Sequence, residues 1–334
     1  MPASGPRGAP PPDLDIVTVV YRRELPLLRL QACSMAQFLD PAGIGRIIVI
    51  VNDVAEAECI AAVEALRPAY GALAAKLDVI GADALFALRP PEAGPHGIRQ
   101  ALRLWFAQHR RIYPFGVKRG WRGNRGWSVQ QALKLAVARR GEGRMLLILD
   151  AKNHFVASVR AGTYLAADGR ARSTMKVPGE KHWTWICGAF ALLGASPPLR
   201  EAPAPVTVTP VVVPRDMLLG TLEAVEQRVG PVEGFFARAK GDLSEFMLIY
   251  AHVTQARGAW PALFQPDLPP AATIFRSSPP EQIEAALHRV ETGEAEILSV
   301  HSSQMDRLDQ GVQARLCAIW RARGLPDDLF RQGD

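Results

Sequence analysis

Along the first half of the chain, apolar residues fall into short unbroken runs. Between the runs lie longer segments where apolar residues recur every three or four positions. An unbroken run fits a strand buried on both faces, as in a parallel sheet, and the recurrence fits an amphipathic helix. The runs are Asp15–Val20 (DIVTVV), Arg46–Val51 (RIIVIV), the shorter Asp78–Ile80, and Met145–Asp150 (MLLILD). A helix is predicted over Leu25–Leu39, with Leu27, Leu28, Leu30, Met35 and Leu39 on its apolar side. Another covers Ala55–Leu77 with a break near Pro68, and a third spans Gly97–Arg111 with Leu102, Leu104, Trp105 and Phe106. A fourth starts after Ser128, a residue suited to capping. Strands alternating with helices at this spacing predict an α/β fold, a mainly parallel Rossmann-like sheet with right-handed crossovers.

The second half is less regular. Lys181–Trp185 (KHWTW) is a cluster of aromatic and polar residues, and Pro197–Pro205 reads as an irregular connection. Thr209–Pro214 (TPVVVP) is flanked by prolines and so reads as an edge strand. Helices are expected over Asp216–Val229, from Asp242 onward through Tyr250, over Pro280–Thr292 and over Met305–Arg323. Ala272–Phe275 and Ala295–Val300 read as strands, the last delivering His301 at its end. No internal repeat is visible.

Composition narrows the class without deciding the function. Of the 334 residues, 48% are hydrophobic and 22% charged, which is a globular balance. No apolar run approaches the ~20 residues of a membrane helix. Residues 1–14 are rich in Ala, Pro and Gly, lack an apolar segment, and read as a disordered tail rather than a secretory signal. The four cysteines, Cys33, Cys59, Cys187 and Cys317, have no metal-binding spacing and fit free thiols in a reducing compartment, so a cytoplasmic location is expected. The net charge of +6 comes without a long basic block, so a nucleic-acid partner is not expected. One local basic cluster stands out: Lys118, Arg119, Arg122 and Arg125, interleaved with glycines and Trp121. Such a loop suits an anionic ligand, because glycines allow close backbone approach, and it equally suits a solvated loop.

Candidate chemistry gathers where apolar strands end. Ligands of open α/β sheets bind beyond the carboxyl ends of the strands. The first strand ends at Tyr21-Arg22, the second at Asn52, and the fourth at Asp150, followed by Lys152, Asn153 and His154. A carboxylate at a strand tip can hold a divalent cation against a diphosphate, and a lysine can meet phosphate as a point charge. A lone Asp after a strand also reads as a turn residue; the apolar strand beneath it and its polar neighbours favour function. Trp127, Gln130, Gln131 and Lys134 suit stacking and polar contacts to a nucleotide, or a helix start with a core Trp. His301 alone suits a structural hydrogen bond; beside Asp150 it would be a ligand. Glu245, after Ser244, reads as capping chemistry or as a general base. There is no GxGxxG after the first strand and no GxxxxGK[ST] anywhere.

Taken in order, DIVTVVY, GWSVQQALKLA, LILDAKNHF, TPVVVPRDML, LSEFMLIY and VHSS resemble glycosyltransferases of the GT-A type. The resemblance is closest to a bacterial group of glycosyltransferase-like proteins described mainly as a domain of unknown function, and it spans about Asp15 to His301. It implies one GT-A-like domain over residues 15–325, with a nucleotide-binding half (15–155) and an acceptor half (156–325). It implies a nucleotide-sugar donor bound near Tyr21, Arg22, Asn52, Trp127, Gln130, Gln131, Lys134 and Asn153, and a glycan or other hydroxyl acceptor, as in surface polysaccharide assembly. Asp150 matches the first acid of the DxD motif that holds Mn²⁺ or Mg²⁺, and His301 matches a late histidine metal ligand by position. Glu245 resembles the carboxylate that deprotonates the acceptor, which would place Glu245, Asp150 and Lys152 at the reaction. Lys152 stands where the second acid would be, which implies weak metal dependence. It also leaves open a non-catalytic nucleotide-sugar-binding protein, or a nucleotidyltransferase, on the same sheet.

Overall fold

A computed structural model describes residues 14–89, 98, 120–121, 126–237 and 243–330. The expected helix over 97–111, the basic glycine-rich loop and the start of a helix at Asp242 lie almost wholly outside the described residues, as does most of the expected N-terminal tail.

The apolar runs become strands because each is covered on both faces. β1 (Leu14–Val20) is buried along its whole length. It pairs in parallel with β2 (Ile44–Val51) on one side and with β4 (Met145–Asp150) on the other. β3 (Leu77–Gly81) continues the sheet beyond β2, again in parallel. β4 is followed at the edge by the antiparallel β6 (Val211–Pro214), in the register Ile148 to Val211 and Met145 to Pro214. The order is therefore β3-β2-β1-β4-β6. Helices α1 (Leu25–Phe38), α2 (Glu56–Ala65), α3 (Ala82–Ala87) and α4 (Gly126–Ala136) alternate with the parallel strands. After β1 the chain steps outward through β2 to β3, then returns to place β4 on the other flank of β1. The crevice between the tips of β1 and β4 is thus the topological switch point, where open α/β sheets take their ligands.

A second, three-stranded sheet lies beside the first. β5 (Asn153–Phe155) runs antiparallel to β8 (Ile297–Val300), which is parallel to β7 (Ala272–Ile274). Only Ala151 and Lys152 separate β4 from β5. Behind this sheet α9 (Pro280–Glu291) and α10 (Gln310–Arg321) build a small core of Ile283, Leu287, Val290, Leu316 and Trp320. On the other side, α5 (Glu180–Leu193), α6 (Arg215–Val229), α7 (Val232–Phe236) and α8 (Glu245–Arg257) join the main core.

The structure corrects several expectations. Asn153 and His154 are not the polar tail of a turn but the start of a buried strand. The His154 ring packs edge-on against Trp320 at 6.1 Å, and burial pulls its pKa down to about 4. The aromatic cluster at 181–185 is the first turns of α5, so Lys181 and Trp185 fall on one helix face. The helix expected over 55–77 ends at Ala65 and continues as 3₁₀ turns from Arg67, because Pro68 cannot donate to the ladder. The last expected helix is broken into a single turn at Ser302–Met305 and α10, whose start Asp309 caps by accepting from the Val312 N–H at 2.9 Å.

Candidate active site

A cavity of about 540 Å³ opens at the switch point. Each wall comes from an element whose end the sheet order brings there. β1 and the 3₁₀ turn after it supply Val19, Val20, Tyr21 and Glu24; the position just past β2 supplies Asn52. α4 supplies Trp127, Gln130 and Lys134, spaced three and four apart and so on one helical face. Asp150 and Lys152 form the floor at the end of β4. α5 gives Lys181 and Trp185, the start of α8 gives Ser244, Glu245 and Phe246, and the end of β8 gives His301 and Ser302.

The floor is an ion network. The Lys134 ammonium donates to Asp150 Oδ1 at 2.9 Å and lies 3.3 Å from Glu245 Oε1. It is only 5% exposed and sits 5.2 Å from the centre of the Phe246 ring. Lys152 donates to Asp150 Oδ2, Thr209 donates to the same oxygen at 3.1 Å, and Gln130 reaches Oδ1 at 3.4 Å. Burial pushes the Asp150 carboxyl up, but Lys134 and Lys152 overcome it and hold the group far below the usual carboxylate range. Burial pulls the Lys134 ammonium down, but Asp150 and Glu245 outweigh it and hold the group above its ordinary value. Both are therefore charged at neutral pH. Ser244 Oγ donates to the second Glu245 oxygen at 3.2 Å.

Glu24 is different. No side-chain partner holds its carboxylate among the described residues. Burial raises its pKa, the Asp150 charge raises it further, and Lys152 and Lys134 offset this only in part, leaving it at about 7. His301 Nδ1 accepts from the Ser303 N–H at 3.2 Å and lies 2.8 Å from Ser303 Oγ. Burial, then Lys152, lower its pKa against the opposing pull of Asp150, so the imidazole is neutral at pH 7. With Nδ1 accepting, the ring proton is assigned to Nε2.

Several sequence-derived candidates thus meet in one cavity: Tyr21, Asn52, Trp127, Gln130, Lys134, Asp150, Lys152, Glu245 and His301. Three others do not line it. Arg22 turns outward to Glu58. Gln131 is buried and accepts from the Glu245 backbone N–H at 3.2 Å, so it positions that residue. Asn153 is fully buried: its Oδ1 accepts from the Asp150 N–H at 2.7 Å and its Nδ2 donates to Ser299 Oγ at 2.6 Å. Asn52, although in the wall, uses its amide to hold the approach to α4, donating to the Gly126 carbonyl at 3.0 Å and accepting from the Trp121 N–H at 2.7 Å. Sequence reasoning missed Glu24, Lys181 and Trp185. The switch-point rule, applied to the turn after β1, would have found Glu24.

The expected metal site at Asp150 and His301 does not fit these residues. Both Asp150 oxygens face ammonium groups, so a cation would have to displace Lys134 and Lys152 and meet their repulsion. The nitrogen of His301 that carries a lone pair faces Ser303. No group of three or more His, Cys, Asp or Glu able to hold a metal ion occurs among the described residues. Hard divalent cations require several oxygen ligands.

The aromatic wall adds a stacking surface. Trp127 and Trp185 lie 6.0 Å apart at 34°, and Lys181 Nζ sits 4.9 Å from the centre of the Trp185 ring. Trp127 is 44% exposed, so a ligand can reach its face.

Fold and cavity together define an α/β protein with a polar-lined cavity at the sheet's switch point. The chain belongs to a family of unknown function (DUF6492), whose model matches residues 20–264. No curated protein matches the chain. Among solved structures it is similar to mouse xyloside xylosyltransferase 1 in its apo form, at 11% identity and a TM-score of 0.37, over 86% of this chain and 97% of that one. It is also similar to the galactosyltransferase LgtC in complex with donor and acceptor sugar analogues, at 16% identity and a TM-score of 0.31, over 69% and 72% of the two chains. No described helix is long and apolar enough to cross a membrane.

Proposed function

We propose that the protein transfers a glycosyl group from a nucleoside-diphosphate sugar to a hydroxyl acceptor. One observation carries this reading. At the switch point, where a nucleotide ligand belongs, three ammonium groups from Lys134, Lys152 and Lys181 line a cavity that also offers carboxylates and an exposed indole face. Glycosyl transfer leaves a nucleoside diphosphate, so the site must meet charge developing on phosphate oxygen. Here lysines take the role that a divalent cation plays beside a DxD motif. Lys152 shares Asp150 with Lys134, so it can turn toward phosphate without leaving that carboxylate unpaired. Trp127 suits stacking on the base, and Gln130 suits polar contacts to it.

Calorimetric titration with UDP, GDP and CMP, with Mn²⁺ and with EDTA, tests the reading. At least one nucleotide should bind in EDTA. Binding of none would refute it. A second reading, a nucleotide-sugar-binding protein without turnover, draws on the same Lys–Asp–Lys clamp, which leaves Asp150 no free oxygen. Binding with no nucleoside diphosphate released from any sugar nucleotide would favour that reading, and pyrophosphate release from a nucleoside triphosphate would favour a nucleotidyltransferase.

A further inference from the structure

Among the described residues three carboxylates line the cavity, and two are already committed. Asp150 is clamped by Lys134 and Lys152 and accepts from Thr209. Glu245 is held by Lys134 on one oxygen and by Ser244 on the other. A carboxylate in an ion pair is a weak proton acceptor, because protonation would break the pair. Glu24 alone of the three has no ion-pair partner among the described residues; its carboxylate takes a backbone hydrogen bond from Tyr21, and it stands on the same crevice, at the turn that ends β1.

We propose that Glu24, rather than Glu245, is the general base that takes the proton of the acceptor hydroxyl. The proposal rests on the glycosyl-transfer reading and names the group that completes it. The acceptor oxygen forms a bond to the anomeric carbon, and the bond from that carbon to the diphosphate oxygen breaks. Its electron pair leaves on the nucleoside diphosphate, whose charge Lys134 and Lys152 meet, and the hydroxyl proton passes to the Glu24 carboxylate. The charged groups around Glu24 come from several elements: Asp150 and Lys152 from the end of β4, and Lys134 from α4. Glu245 from α8, Lys181 from α5 and the neutral His301 after β8 complete the cavity wall. They leave Glu24 titrating near pH 7, where a general base is most effective.

The test uses UDP as the probe and compares wild type, Glu24→Gln and Glu245→Gln, each checked for folding by circular dichroism. Calorimetry near pH 7 in buffers of different ionisation enthalpy counts the protons taken up on binding. A Glu24 titrating at about 7 is half protonated in the empty cavity. UDP, the product, carries one more negative charge than the sugar nucleotide, so it should drive Glu24 toward the protonated form that transfer leaves behind, an uptake of up to about half a proton. Wild type and Glu245→Gln should therefore exceed Glu24→Gln by about that amount. Equal uptake in wild type and Glu24→Gln, or loss of uptake in Glu245→Gln instead, would overturn the assignment while leaving the nucleotide reading intact. Where wild type binds GDP or CMP instead of UDP, that nucleotide replaces UDP as the probe, and absence of binding of all three would overturn both. On a donor that turns over, nucleoside-diphosphate release by Glu24→Gln should fall by on the order of 10²–10⁴ and lose its inflection near pH 7. A rate close to wild type would equally remove Glu24 from the reaction.

Discussion

If Glu24 is kept near neutrality for chemistry, the fold bears a cost that a single substitution should relieve. Its carboxyl rises from 4.5 to about 7 on folding, through burial first and the Asp150 charge second. A carboxyl whose folded value is raised binds its proton more tightly in the native state. The native state is therefore not penalised below the unfolded value, loses stability as pH rises from about 4.5 to 7, and stays penalised above that. At about 1.4 kcal/mol per pH unit the ceiling is about 3 kcal/mol. Water reaching the partly buried side chain lowers the expectation to about 1–2 kcal/mol. Glu24→Gln keeps the shape and removes the charge, so it should stabilise the protein by that amount at pH 8 and by almost nothing at pH 4. Urea denaturation of both proteins at the two pH values measures this directly. A difference that is the same at both pH values, or a variant less stable at pH 8, would refute the reasoning, because the gain would then not come from the titration of Glu24.

Lys134→Met should destabilise the protein by about 3 kcal/mol, because two buried carboxylates lose their shared cation, and adding Glu245→Gln should recover part of that loss in the same urea experiment. No recovery would show that Lys134 and Glu245 are not coupled. Lys152→Ala should weaken UDP binding in EDTA by about tenfold, the worth of one charged hydrogen bond. Wild-type affinity in that variant, together with collapse of wild-type binding in EDTA, would restore the metal-based expectation. Asn153→Ala should cost about 2–3 kcal/mol by leaving the Asp150 N–H and the Ser299 hydroxyl unpaired, and a change below about 0.5 kcal/mol, the size of an ordinary surface substitution, would argue against that bridge.

The main sheet was legible because its signal is local. β1, β2 and β4 are covered on both faces, so every position along them is apolar or nearly so, and the run appears in the letters. The edge strand β6 was legible for the opposite reason, since its prolines fit only where a ladder partner is missing. Asp150 and Lys134 were legible as candidates from their place at a strand end and on a helix face. What was not legible depends on partners far along the chain. Asn153 and His154 read as a polar loop because the strand that seals them, β8, lies some 140 positions later. Glu24, just before the first predicted helix, carried no signal in the letters because its environment is made by Asp150, Lys152 and Lys134. The metal expectation followed the position of Asp150 and missed that two ammonium groups already face its oxygens.

The link of Ala151 and Lys152 between β4 and β5 has a mechanical consequence. Those two residues are the short joint from one sheet directly into the other, and Asn153 pins it by bonding the Asp150 backbone on one side and Ser299 of β8 on the other. His301 rides at the far end of β8, so its place over the cavity is geared to the length of that joint. Inserting or deleting one residue there would slide β5 along β8 by about 3.3 Å and turn its side chains to the opposite face. Asn153 would leave its bridge, and His154 would swing out of the core. The spacing between Asp150 and Lys152 is thus held by carpentry as well as by chemistry: the second position can change its charge, as an acid or a lysine, but it cannot move.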